Sequence, residues 1–148
     1  MIAISLPDAE HTPPRAKKSL AQHFLVDKRV LRLIVKAAEI APDDVVVEIG
    51  PGRGILTREL VARGARVVAI EIDQALAGRL EDEFAGDGRV TVVMADARKV
   101  DLHSLVPGDL PYKIVANLPY YAASHIVRRC LAATVRPASM IVMVQREV

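Results

Sequence analysis

The sequence predicts an α/β fold built on a largely parallel sheet, and three observations carry that expectation. From about residue 44 onward, short β-branched runs alternate with segments whose apolar residues recur at helical spacing. The first run, DVVVEIG, is apolar without alternation, which suits a strand buried on both faces. Glycines, acids and an amide stand just past the ends of the runs, where ligands bind in open α/β sheets. A chain of 148 residues is long enough for one domain with a real core.

The elements follow in order. Residues 1 to about 18 are rich in proline and charge and read as a basic arm without fixed structure. Asp27 is placed to cap a helix through about Ile40, whose Val30, Leu31, Ile34, Val35 and Ala38 share one face. Pro42-Asp43-Asp44 ends it. After the first strand comes PGRG and the helix ILTRELVARG, stopped by Gly64. ARVVAIEID is the second strand and QALAGRLEDEFAG the second helix of the alternating series. RVTVVMAD is the third strand, YKIVAN the fourth, SHIVRRCLAA a further helix and ASMIVMVQ the fifth strand.

Composition narrows the function classes. Half the residues (51%) are hydrophobic and 26% charged, ordinary for a soluble globular domain. No uncharged stretch is long enough to span a membrane, and the start has no basic region before its apolar run. A single cysteine, Cys130, makes no internal disulfide, so a reducing cytoplasm fits best. The four histidines do not fall at metal-ligand spacing, and no metal is expected. Net charge is +2, but Arg15, Lys17, Lys18, Lys28, Arg29, Arg32 and Lys36 stand against Asp27 alone in residues 11–36. That segment is either a solvated arm or a contact for a polyanion.

The strand ends carry the chemistry. Gly50-Pro51-Gly52-Arg53-Gly54 brings backbone close to a ligand or is simply a tight turn. In the dinucleotide pattern GxGxxG the third glycine is replaced here by Ile55, which argues against a pyrophosphate cradle. Glu71 follows Gly50 at the interval, about 20 residues, at which an acid accepts from ribose hydroxyls. Asp73 fits a helix cap better than Glu71 does. Asp96 either caps a loop or accepts from an exocyclic amine. Asn117-Leu118-Pro119-Tyr120 is either a turn or a clamp for a flat, nitrogen-bearing base.

Taken in order, glycine turn, ribose acid, amine-binding acid and Asn-Leu-Pro-Tyr resemble the Rossmann-like methyltransferases that use S-adenosylmethionine. The run Ser19-Leu20-Ala21-Gln22-His23-Phe24-Leu25-Val26-Asp27 is similar to the Q-[NH]-F-L motif of the ribosomal RNA adenine N6,N6-dimethyltransferases, the KsgA type. That resemblance covers about residue 15 to the end. It implies dimethylation of adenine N6 in small-subunit (16S) ribosomal RNA, a step of ribosome biogenesis in the cytoplasm. The small ribosomal subunit is then the partner, with no role for a membrane.

By the same resemblance, S-adenosylmethionine contacts His23, Leu25, Gly50, Gly52, Glu71, Asp96 and Asn117, and leaves as S-adenosylhomocysteine. Asn117 and the Leu118 carbonyl accept from the target amine, Pro119 fixes the loop, and Tyr120 stacks on the flipped base. Lys17, Lys18, Phe24 and Tyr121 are the residues expected to meet RNA. Residues 19–148 read as an incomplete methyltransferase domain, truncated after the fifth strand, without the family's C-terminal helical domain. Such a piece is expected to be weakly active or inactive and to self-associate through the exposed edge IVMV. Alternatives are a 23S methyltransferase of the macrolide-resistance type and a non-catalytic RNA- or DNA-binding factor of the same fold. An NAD-dependent enzyme is disfavoured by Ile55 and NLPY.

Overall fold

The computed structural model describes residues 2–6 and 27–145. Six strands form one parallel sheet: β1 (Ile2–Leu6), β2 (Val45–Ile49), β3 (Arg66–Glu71), β4 (Val90–Met94), β5 (Tyr112–Leu118) and β6 (Ser139–Gln145). The helices are α1 (Lys28–Ala38), α2 (Ile55–Ala62), α3 (Gln74–Glu83) and α4 (Tyr120–Ala132). Strand order is β1-β6-β5-β2-β3-β4, with every neighbouring pair parallel. From β2 the chain first builds outward through β3 and β4. It then crosses back to lay β5 on the other side of β2. The crevice between the C-terminal ends of β2 and β5 is therefore the switch point of the sheet.

Alternation within each strand divides the core into two layers. Val45, Val47 and Ile49 of β2 point to the face covered by α4 through Ala122, Ala123, Ile126 and Cys130. Val46 points to the opposite face, where α1 supplies Ile34, Val35 and Ala38, and α2 supplies Leu56, Leu60 and Val61. All five residues of β2 are buried, Glu48 among them, as a central strand covered on both faces requires. Each fully buried Ile or Leu in these layers contributes roughly 1.5–3 kcal/mol of transfer free energy.

The expected helix caps are present. The Asp27 carboxylate accepts from the Arg29 amide at 2.9 Å, and Asp73 accepts from Ala75 and Leu76 at 3.0 and 3.1 Å. α1 ends at Ala38, earlier than Ile40, because Glu39 adopts a left-handed conformation. Lys113 of β5 reaches this end. Its ammonium donates to the carbonyls of Ala38 (3.3 Å) and Glu39 (2.7 Å) and to Asp44 (2.8 Å).

Two expectations are corrected. Residues 1–18 do not lack fixed structure throughout, because Ile2–Leu6 forms β1. The apolar edge IVMV is also not exposed: β1 pairs with β6 in register from Ile2 opposite Ile141 to Leu6 opposite Gln145. An apolar strand with unpaired backbone groups recruits any matching segment, and IAISL supplies one from the same chain. No helix among the described residues is long and apolar enough to cross a membrane.

Candidate active site

Four strand ends converge at the switch point. β2 delivers Glu48, Gly50 and Gly52, β3 delivers Glu71, the turn after β4 delivers Asp96, and β5 delivers Asn117 and Leu118. The turn after β2 is built from left-handed backbone, with φ of 74°, 57° and 74° at Gly50, Gly52 and Gly54. At Gly50 the reason is also steric: a Cβ there would lie 2.8 Å from the Asn117 carbonyl oxygen. The glycine turn and the amide motif are thus in backbone contact. The Gly50 amide is held by the Ile70 carbonyl at 3.0 Å, which ties the turn to β3 as well.

Glu71 is 4% exposed and organises the turn. One carboxylate oxygen accepts from the Gly52 amide at 3.2 Å and the other from the Asp73 amide at 2.9 Å. A carboxylate has about four acceptor positions, so capacity remains for two further donors. Asp73 itself is the α3 cap, which separates the roles of the two acids as the sequence suggests.

Glu48 lies on the same face of the sheet, the one covered by α1 and α2, and is fully buried. Its carboxyl accepts from the Thr57 hydroxyl of α2 at 2.6 Å. Burial drives its pKa up to about 7; the Thr57 hydrogen bond opposes this and the Glu71 charge adds to it. Asp96 behaves oppositely. Its oxygens accept from the Arg98 amide at 3.0 Å, from Arg98 Nε at 2.9 and 3.2 Å, and from Arg98 Nη2 at 2.7 Å. That guanidinium, outweighing desolvation, holds the Asp96 pKa down at about 2. An incoming amine must share the carboxylate with Arg98 or displace it.

The Asn-Leu-Pro-Tyr stretch is not one loop. Asn117 and Leu118 are the last residues of β5, which runs one residue past the expected end. Pro119, with φ −58° and ψ 147°, is the cap of α4, and its carbonyl accepts from Ala122 and Ala123 at 3.0 Å each. Tyr120 opens α4, four residues before the expected start. Leu118 is buried, while Tyr121 stands 65% exposed in the first turn of α4. Lys17, Lys18, His23, Phe24 and Leu25 lie outside the described residues.

Two features escape sequence reasoning. Ile72 and Met94, beside Glu71 and Asp96, are 56% and 57% exposed, an apolar surface at the strand ends. Arg129, which reads as a surface residue of a helix, instead donates to backbone carbonyls of the turn after Asp96. In the sequence, Ile72 was signalled only by its place next to Glu71, and Arg129 by nothing local.

A model of the ribosomal RNA adenine dimethylase family matches residues 14–148. Ribosomal RNA small subunit methyltransferase A of Moorella thermoacetica is 49% identical over 140 residues, covering 89% of this chain and 49% of that protein. The protein of the same name from Dehalococcoides mccartyi (strain ATCC BAA-2100 / JCM 16839 / KCTC 5957 / BAV1) is 43% identical over 134 residues, covering 90% and 46%. The chain thus spans about half the length of these curated relatives. Among solved structures, the 23S rRNA methyltransferase ErmE superposes with a TM-score of 0.66 at 36% identity, covering 78% of this chain and 46% of that one. A dimethyladenosine transferase from Plasmodium falciparum gives 0.69 at 26% identity, covering 81% and 42%. The match runs through the strands that end at Gly50, Glu71, Asp96 and Asn117, and on it the chain belongs to the ribosomal RNA adenine dimethylase family.

Proposed function

We propose that this chain is the cofactor- and base-binding part of an S-adenosylmethionine-dependent enzyme that dimethylates adenine N6 in small-subunit ribosomal RNA. One observation carries the reading. The glycine turn and the Asn117 carbonyl are in contact at the switch point, so a group cradled by the turn lies next to an amine held by the motif. The names and 43–49% identities of the curated relatives support the small-subunit target.

The residues present fit the cofactor. Glu71 has acceptor capacity for two ribose hydroxyls, both of which are donors. Ile72 offers an apolar face to a purine ring, and Asp96 lies one strand away for its exocyclic amine. Gly50 and Gly52 admit the amino-acid portion close to the backbone. When bound, the cofactor supplies an electrophilic methyl group on a sulfonium.

The chain's own work is to orient the acceptor nitrogen. The N6 lone pair of adenine is delocalised into the ring and is a weak nucleophile. Asn117 Oδ1 and the Leu118 carbonyl accept its two hydrogens, which localises the lone pair toward the methyl donor. Pro119 holds the strand-to-helix junction rigid, so the geometry is fixed before the base arrives. Tyr120 stacks on the flipped base, and Tyr121, exposed beside it, meets the flanking RNA. The amine becomes acidic only as the new bond forms, so no strong base is required beforehand. Lys17, Lys18 and Phe24 add contacts to the RNA, and His23 and Leu25 contact the cofactor.

Calorimetric titration with S-adenosylhomocysteine, S-adenosylmethionine and NAD tests the cofactor half. The two sulfur nucleosides bind, and Glu71→Ala and Asp96→Ala each weaken them by about tenfold or more, the worth of a charge-assisted hydrogen bond. Binding of NAD alone, or affinity indifferent to both substitutions, overturns the reading.

A further inference from the structure

The function proposed above uses Asp96 at one side of the crevice and the Asn117–Tyr120 stretch at the other. One side chain ties the turn after Asp96 to the helix that follows that stretch. Arg129 projects from α4, the helix that Tyr120 opens. Its Nη1 donates to the Ala97 carbonyl at 3.3 Å and to the Arg98 carbonyl, and its Nη2 donates to the Val100 carbonyl at 2.9 Å. All three acceptors belong to the turn that begins at Asp96. The remaining bonds of that turn are internal: the Lys99 and Val100 amides donate to the Asp96 carbonyl at 2.9 and 3.3 Å. Among the described residues, no other hydrogen bond ties it to α4.

A guanidinium is suited to this task. Its rigid fork of five donors matches a fan of carbonyls, whereas an ammonium would be a point charge among them. Ala97 and Ile126 are buried in one core layer and line the same cavity as Arg129. The consequence reaches Asp96 directly, because its side chain is aimed by the backbone that Arg129 grips.

We propose that Arg129 is a positioning residue for Asp96. It fixes the 96–100 turn on α4, so that the acid for the cofactor's adenine amine and the motif for the target base keep one mutual geometry. This rests on the cofactor reading above, deepens it, and adds a residue outside the strand-end motifs.

The test uses Arg129→Met, Arg129→Lys, Asp96→Asn and the double variant Asp96→Asn/Arg129→Met, each checked for folding by circular dichroism. Hydrogen exchange on the unliganded chain comes first. In Arg129→Met the Lys99 and Val100 amides exchange about tenfold faster, as expected for local opening, while Val47 and Ile70 keep their rates. Calorimetry with S-adenosylhomocysteine follows. Affinity falls about tenfold in Arg129→Met and less in Arg129→Lys, and Arg129→Met costs nothing further in the Asp96→Asn background. Unchanged exchange at Lys99 and Val100 overturns the proposal. So does an affinity loss that is equal in both backgrounds, because Arg129 would then act without Asp96. If the unsubstituted chain binds no S-adenosylhomocysteine, the cofactor reading fails on its own, and the exchange data still decide whether Arg129 holds the turn.

Discussion

Three carboxylates near one crevice meet different surroundings and take different roles. Glu71 is kept in place by two backbone amides, Asp96 is held far down in pKa by Arg98, and Glu48 is driven up to about 7 by burial. The last has a consequence for stability. In the folded chain Glu48 keeps its proton up to about pH 7, while the unfolded chain releases it near the ordinary value of 4.5. Its contribution is therefore fully present below the unfolded value and is lost as pH rises through the folded one. Urea unfolding at about pH 5 and about pH 8 should differ by on the order of 3 kcal/mol more than in Glu48→Gln. Equal pH dependence in the two proteins would remove the buried acid as its source. The placement of Glu71, Asp96 and Asn117 at or just past strand ends was legible in the sequence, because each strand end is marked by a change from β-branched to polar residues. The engagement of Asp96 by Arg98 was hidden, since two residues of opposite charge two apart are common in any loop. The role of Arg129 depends on a turn some thirty residues away folding against it, and no local pattern announces that.

Elements are joined by a few polar contacts whose loss is uneven in cost. Lys113 binds the C-terminal carbonyls of α1 and the Asp44 carboxylate, both partly shielded from water. Burial works against ionisation of Asp44, but the hydrogen bonds from Lys113 and the Ala41 amide outweigh it and lower its pKa. Replacing Lys113 by Met leaves two carbonyls and a carboxylate without this partner. It should cost about 2 kcal/mol in denaturant unfolding at neutral pH. Arg66 pairs with Asp43 at 3.8 Å with both side chains exposed, and Arg66→Ala should change the same measurement by less than about 0.5 kcal/mol. Comparable losses from both would contradict the distinction. Helix positions were legible from capping and periodicity: Asp27 and Asp73 cap as their sequence context indicates. The start of α4 was not, because Pro119 and two tyrosines read as a loop until Pro119 is seen as its cap. Lys113 stands in a strand pattern, where its reach to a helix end cannot be read.

At the scale of the molecule, β6 is flanked on its outer side by the strand Ile2–Leu6. The pairing of Ile2–Leu6 with Ser139–Gln145 was illegible because IAISL is short, lies beside a proline-rich run, and finds its partner at the far end of the sequence. With β1 in place, the edge of β6 is covered, and self-association through IVMV has lost its template. Removing residues 1–6 restores it. Sedimentation at increasing concentration should then show the shortened chain associating, while the full chain associates less at equal concentration. Identical behaviour of the two would mean that β1 does not protect β6. The same pairing also imposes an order in time. During synthesis β3, β4, β5 and β6 can each pair as they emerge, since each meets a strand already made. Ile2–Leu6 precedes all of these and has no partner until Ile141 and its neighbours leave the ribosome. Ile2–Leu6 must therefore remain unpaired until residues 139–145 have been made, although those two segments are neighbours in the finished sheet.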